Sequence, residues 1–181
     1  MQKKQVFDLA SSNAAGLGSK ENRELKSAAA KTEKAWEGAG KTLGTQIWRI
    51  EAFKVVHWPK DQYGSFYSGD SYIVLYTYKK TPDSAALAYN VHFWLGKDTS
   101  QDEAGTAAYK TVELDDLLGD VPVQYREVQG SESEQFMSIF KNRITIMEGG
   151  VASGFKHVKA EDYKPRLMHL KGKKIVRVTQ V

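Results

Sequence analysis

At 181 residues, with 41% hydrophobic and 11% aromatic content, the chain is long enough for one well-buried core and short for two. It contains no cysteine, which excludes disulfides, zinc fingers and thiol chemistry, and no apolar run reaches the roughly 18 residues of a membrane-spanning helix. Basic against acidic residues number 8 and 5 over 1–45, 10 and 15 over 46–155, and 8 and 2 over 156–181, an acidic middle with a basic tail rather than the even basicity of a nucleic-acid binder.

Residues 1–18 are polar, lack the apolar core of a signal peptide and read as a loosely ordered arm, so a soluble cytoplasmic protein is expected. Ser19 to Trp36 reads as a helix with a thin apolar face, latched to the domain through Trp36. The glycines between Gly38 and Gly44 stop it. Gln46 to Val56 reads as a first strand ended at Trp58-Pro59, and Tyr63 to Asp70 as a turn-rich approach to a second, Ser71 to Tyr78. That second strand is apolar on both sides, which predicts a central strand covered on both faces. Ala88 to Leu95 is the third strand.

Gly96 then turns the chain into an acidic helix. Thr99 and Ser100 each stand three residues before an acid, Asp102 and Glu103, as in a capping box. Asp115 and Asp116 close the helix at its C-terminal end, where the dipole disfavours negative charge. Carboxylates so placed need a compensating cation, a first pointer to a metal. Val121 to Gln129 is a fourth strand, Ser131 to Asn142 a second helix, and Ile144 to Met147 a fifth strand ended by Gly149-Gly150. From Val158 the chain is basic, and Lys174 to Val181 alternates like a strand without partners. The expected fold is α+β, a roughly five-stranded mixed sheet sandwiched between a long helix and a shorter helix. The expected division is 1–45 as a helical extension, 46–158 as the domain, and 159–181 as a basic linker.

Seven motifs in order carry a resemblance. They are Ile47-Trp-Arg-Ile-Glu51, Tyr67-Ser-Gly-Asp-Ser-Tyr-Ile-Val74, His92-Phe-Trp-Leu-Gly96, Ser100-Gln-Asp-Glu-Ala-Gly105, Val112-Glu-Leu-Asp-Asp116, Arg126-Glu-Val-Gln-Gly130 and Gly149-Gly-Val-Ala-Ser-Gly-Phe-Lys-His157. Together they resemble the first repeat of the gelsolin–villin–severin–fragmin actin regulators, and the lead-in from Trp36 to Gly40 resembles the short members, fragmin and severin. Arg166 to Arg177 resembles the start of a second repeat, so the chain is expected to be a fragment of a longer protein.

The resemblance implies a calcium held inside the repeat by the Gly69 carbonyl, the Asp70 and Glu103 carboxylates and the Val151 carbonyl. Read alone, Gly69-Asp70 is equally a turn before a strand and Glu103 a helix cap. The resemblance also implies a second calcium shared with actin, on the Asp115 carboxylate and the carbonyls of Asp120 and Pro122. Asp120 stands where the family has glycine, and a positive φ there would strain an Asp. For actin contact it implies the outer stripe of the second helix, Glu134, Met137, Ser138 and Lys141, with Met137 as the apolar anchor and Tyr109 and Phe155 beside it. Tyr125 stands where many members have histidine. Arg166, Lys171, Lys173, Lys174 and Arg177 resemble a phosphoinositide-binding segment, or equally a strand of the missing repeat.

Enzyme readings fail on specifics. Gly150 to Gly154 lacks the Gly-Lys-Ser/Thr ending of a phosphate loop. Adjacent Asp115 and Asp116 diverge by about 100° on a helix and make a poor acid–base pair. His57, His92, His157 and His169 have no metal-ligand spacing, and His92 reads as a core histidine. The implied function is a non-enzymatic, calcium-dependent actin-binding domain that binds monomers, caps filament barbed ends and contributes to severing in the cytoplasm and cytoskeleton. The competing reading is a phosphoinositide-binding module whose protein partner is not actin.

Overall fold

The structure, a computed structural model, describes residues 28, 30–151, 167–173 and 176–181. The expected arm over 1–18 and most of the helix from Ser19 lie outside them. Strands β1 (Gly44–Glu51), β2 (Lys54–His57), β4 (Ser71–Tyr78), β5 (Ala88–Leu95) and β6 (Val123–Val128) form a mixed sheet in the order β2-β1-β4-β5-β6. Strands β3 (Ser65–Tyr67), β7 (Arg143–Met147), β8 (Met168–Lys171) and β9 (Val176–Gln180) form a second, in the order β3-β7-β9-β8. Helix α1 (Gln101–Leu117) is the crossover that makes β6 parallel to β5, and the short helix α2 (Glu134–Ile139) leads into β7.

Alternation along the central strands sends side chains to two cores. Trp48, Ile50, Ile73, Leu75 and Val91 meet Ala107 and Leu114 of α1 on one face. Ile47, Tyr72, Val74 and Trp94 meet Phe66, Phe136, Met137, Ile144 and Ile146 on the other. The double-sided β4 is therefore central and covered on both faces, as its composition predicts.

Three of the expected strands depart from expectation. The first expected strand is a hairpin, turning at Ala52 and Phe53 with φ of 47° and 66°. Two-residue turns of that hand are signalled by Asn-Gly, and Ala-Phe carries no such signal. The fifth expected strand, β7, pairs parallel with β3 and joins the second sheet. The tail strand β9 has partners after all, parallel to β7 and antiparallel to β8, which covers the β7 edge that would otherwise be open.

Trp36 is buried, edge-on to Trp48 at 5.0 Å between centroids, and its indole N–H donates to Glu113 Oε1 at 2.8 Å. Lys110 links Glu113 to Glu33 with bonds near 2.9 Å. The described residues just before β1 thus belong to the core and strap α1 to the sheet. Trp36→Ala is expected to cost about 3–5 kcal/mol, read as a lower urea midpoint at unchanged slope.

Candidate functional site

Carboxylates gather at both ends of α1. At the N-terminal end Asp70, in the turn before β4, is fully buried. Its Oδ1 accepts from the Val151 N–H at 2.8 Å, and its Oδ2 accepts from the Tyr72 hydroxyl at 3.2 Å. Nη1 of Arg49 stands 3.4 Å from the same Oδ2. The Gly69 N–H donates to the Gly149 carbonyl at 2.8 Å, which laces the two turns together. Gly150 permits that approach, because a Cβ there would stand 2.3 Å from Asp70 Oδ1. Gly150→Ala is expected to push the 149–151 turn off Asp70 at a cost of about 1–3 kcal/mol, with a lower melting temperature and weaker calcium binding by calorimetry.

Glu103 lies in the first turn of α1, where Ser100 caps the helix by accepting from the Glu103 N–H at 3.2 Å. Its Oε2 accepts from the Thr99 hydroxyl at 3.2 Å, and Thr99 in turn shares a 2.8 Å bond with Ser71. Its Oε1 is buried without a partner among the described residues. Burial pushes the Asp70 and Glu103 carboxyls above the usual carboxylate range, and the charge of Asp70 pushes Glu103 further. Hydrogen bonds and Arg49 pull Asp70 part of the way back. Two buried carboxylates that repel each other, one with an unsatisfied oxygen, are chemically suited to a hard cation. The structure therefore brings Gly69, Asp70, Glu103 and Val151 together.

At the C-terminal end of α1, Asp115 Oδ2 accepts from Gln124 at 2.6 Å, while Oδ1 is buried with no partner among the described residues. Burial raises its carboxyl, with Asp120 and Asp116 adding charge repulsion. Asp120 takes a φ of 58°, a left-handed backbone that strains residues other than glycine, and its N–H donates to the Asp115 carbonyl at 3.1 Å. Asp115, Asp120 and the half-buried Pro122 thus share one loop end. Among the described residues no three His, Asp or Glu side chains stand together as a metal cluster. Either site would have to be completed by backbone carbonyls or by a partner's oxygens.

The expected anchor is corrected. Met137 is fully buried in the core beneath the sheet, and α2 has six residues rather than twelve. The C-terminal turn begins early because Lys141 and Asn142 adopt left-handed φ of 54° and 60°. Glu134, Ser138 and Lys141 are exposed, but α2 and α1 lie on opposite faces of the sheet, so these three do not share a surface with Tyr109. Tyr109 is 67% exposed on α1, next to Val112, and exposed Val121 and Val123 continue from the Asp115 end. Sequence reasoning missed those three valines, whose only signal was the outward phase of α1 and a sheet edge at β6.

Lys171 and Lys173 are exposed near the turn between β8 and β9, whereas Arg177 donates to Glu132 at 3.2 Å. Phe155, Arg166 and Lys174 lie outside the described residues. His92 is buried, with Nδ1 bonded to Glu127 Oε1 at 2.9 Å, and stacks on Tyr125 at 4.7 Å. Its Nε2 has no partner among the described residues, which leave the core histidine half satisfied.

No helix among the described residues is long and apolar enough to cross a membrane. Residues 56–137 match the family described as the gelsolin repeat. The chain is 57% identical over 172 residues to Gelsolin-like protein 1 of Lumbricus terrestris, covering 95% of this chain and 47% of that protein. It is 51% identical over 176 residues to Gelsolin-like protein 2 of the same organism, covering 97% and 48%. With Severin of Echinococcus granulosus it shares 46% over 167 residues, covering 90% and 44%. The chain thus spans about half the length of these relatives. With its paired carboxylates bracketing one long helix across a mixed sheet, the chain belongs to the gelsolin/villin superfamily.

Proposed function

We propose that this chain is a non-enzymatic, calcium-dependent actin-binding domain of the cytoplasm and cytoskeleton, which binds monomers, caps filament barbed ends and contributes to severing. One observation carries the reading. The outward face of α1 presents Tyr109 and Val112 to solvent and ends at Asp115, whose buried Oδ1 lacks a partner among the described residues. An adaptable apolar stripe closed by an unsatisfied carboxylate is what helix-in-groove recognition with a bridging cation requires. The 17 residues of α1 offer about 25 Å of helix, and α2, with its methionine buried, is too short for that role.

Calcium, when bound, would neutralise repelling carboxylates at two places. Gly69, Asp70, Glu103 and Val151 would hold one ion inside the repeat, and Asp115 with the Asp120 and Pro122 carbonyls would hold another against an acid of actin. The test is polymerisation of pyrene-labelled actin with this chain, in calcium and in chelator. Slowed barbed-end growth in calcium alone supports the reading, and equal traces in both conditions refute it.

The exposed Lys171 and Lys173 favour a second activity, binding of phosphoinositide headgroups. Sedimentation with phosphoinositide vesicles in place of filaments separates the two. Vesicle binding with no calcium-sensitive effect on actin would replace actin by another protein partner.

A further inference from the structure

We propose that Arg49 is a tethered counter-ion of the internal cation site, holding Asp70 in the metal-free protein and setting the calcium concentration at which the site fills. The inference rests on Asp70 and Glu103 forming a calcium site. Arg49 lies on β1 opposite Tyr72 of β4, with its side chain 15% exposed. Its guanidinium covers the Trp58 ring at 4.7 Å from the centroid. Nη1 faces Asp70 Oδ2 at 3.4 Å, while Nε donates to Glu51 Oε1 at 2.7 Å and Nη2 contacts the same Glu51 oxygen. One cation is therefore shared unequally between a fully buried carboxylate and a half-buried one.

The two contacts differ in kind. The bond to Glu51 is short and directed, whereas the approach to Asp70 is long. Arg49 can therefore release Asp70 and keep a partner. Without Arg49, the buried Asp70 charge would retain, among the described residues, only the Val151 N–H and the Tyr72 hydroxyl, and an uncompensated buried charge is costly. The metal-free fold thus leans on Arg49.

A divalent ion binding the same carboxylate would meet the guanidinium as a like charge, and in a partly buried site that repulsion is weakly screened. The stabilisation of the empty site and the opposition to the filled one share a cause. Both raise the calcium concentration needed. Glu51 acts in the reverse sense, since it draws Arg49 away from Asp70.

The test is calcium titration calorimetry on the full chain in an Asp115→Asn background, so that the internal site alone gives heat, with melting followed in chelator. R49Q is expected to tighten calcium binding by about tenfold and to lower the melting temperature in chelator. E51Q is expected to weaken calcium binding by about threefold, because Arg49 then falls wholly to Asp70. Opposite signs from adjacent neutralisations cannot come from general loosening of the fold. Should R49Q fail to fold in chelator, E51Q carries the decision alone. Calcium heat with both variants unchanged, or with R49Q weakened, overturns the role of Arg49 and leaves the calcium site standing. No calcium heat in the background protein overturns both.

Discussion

Replacing Asp115 by Asn is expected to weaken calcium-dependent association with actin by about a hundredfold while leaving the metal-free fold at least as stable as before. The two halves of that outcome have one origin. Asp115 lies in the last turn of α1 where the helix dipole is unfavourable, burial and the charges of Asp120 and Asp116 raise its carboxyl, and Oδ1 has no partner among the described residues. Charge at this position is a liability until a cation and a partner's acid complete it. Removing the charge relieves the free chain and deprives the complex of a ligand. Pyrene-actin assays in calcium should lose their response while melting in chelator does not fall. Undiminished actin binding by Asp115→Asn would remove the shared cation from the account.

Glu103→Gln is expected to abolish stabilisation by calcium, which in the parent protein should amount to about 3–4 kcal/mol at saturating ion. The amide keeps the shape of the cap and cannot supply the second charge. The direction of the pH effect follows from the raised carboxyls of Asp70 and Glu103. Folded groups that titrate above their unfolded values bind more protons than the unfolded chain, so the metal-free protein loses stability as pH rises through that window. Calcium requires both groups ionised, so its binding should weaken as pH falls through the same window, with release of protons. Calorimetry in buffers of different ionisation enthalpy measures that release. With Asp115→Asn present in both proteins, a melting temperature in Glu103→Gln that still climbs with calcium would place the ion elsewhere.

The local parts of the site were readable from the residues themselves: the Ser100 cap and Glu103 sit in one helical turn, and Gly69-Asp70 is a turn before a strand. The grouping of Asp70 with Glu103 and Val151, and the left-handed backbone at Asp120, were implied only by the resemblance. Met137 was misread because α2 stops short and lies beneath the sheet, so that Met137, alone of its stripe, enters the core while Glu134, Ser138 and Lys141 stay exposed. The turn at Ala52-Phe53 left no mark because neither residue is the usual choice for left-handed backbone.

By itself, the order of apolar and polar residues determined the α+β class, the doubly covered β4 and the acidic helix, since periodicities of two and 3.6 depend only on neighbours along the chain. Tertiary structure alone decided that β7 leaves the main sheet, that β9 finds an edge to pair with, and that Tyr109 and Met137 end on opposite sides. It also decided that Arg49, Asp70, Glu103 and Val151 share one neighbourhood. These are pairings between residues tens of positions apart, and strand order and burial are settled by which distant surfaces cover each other.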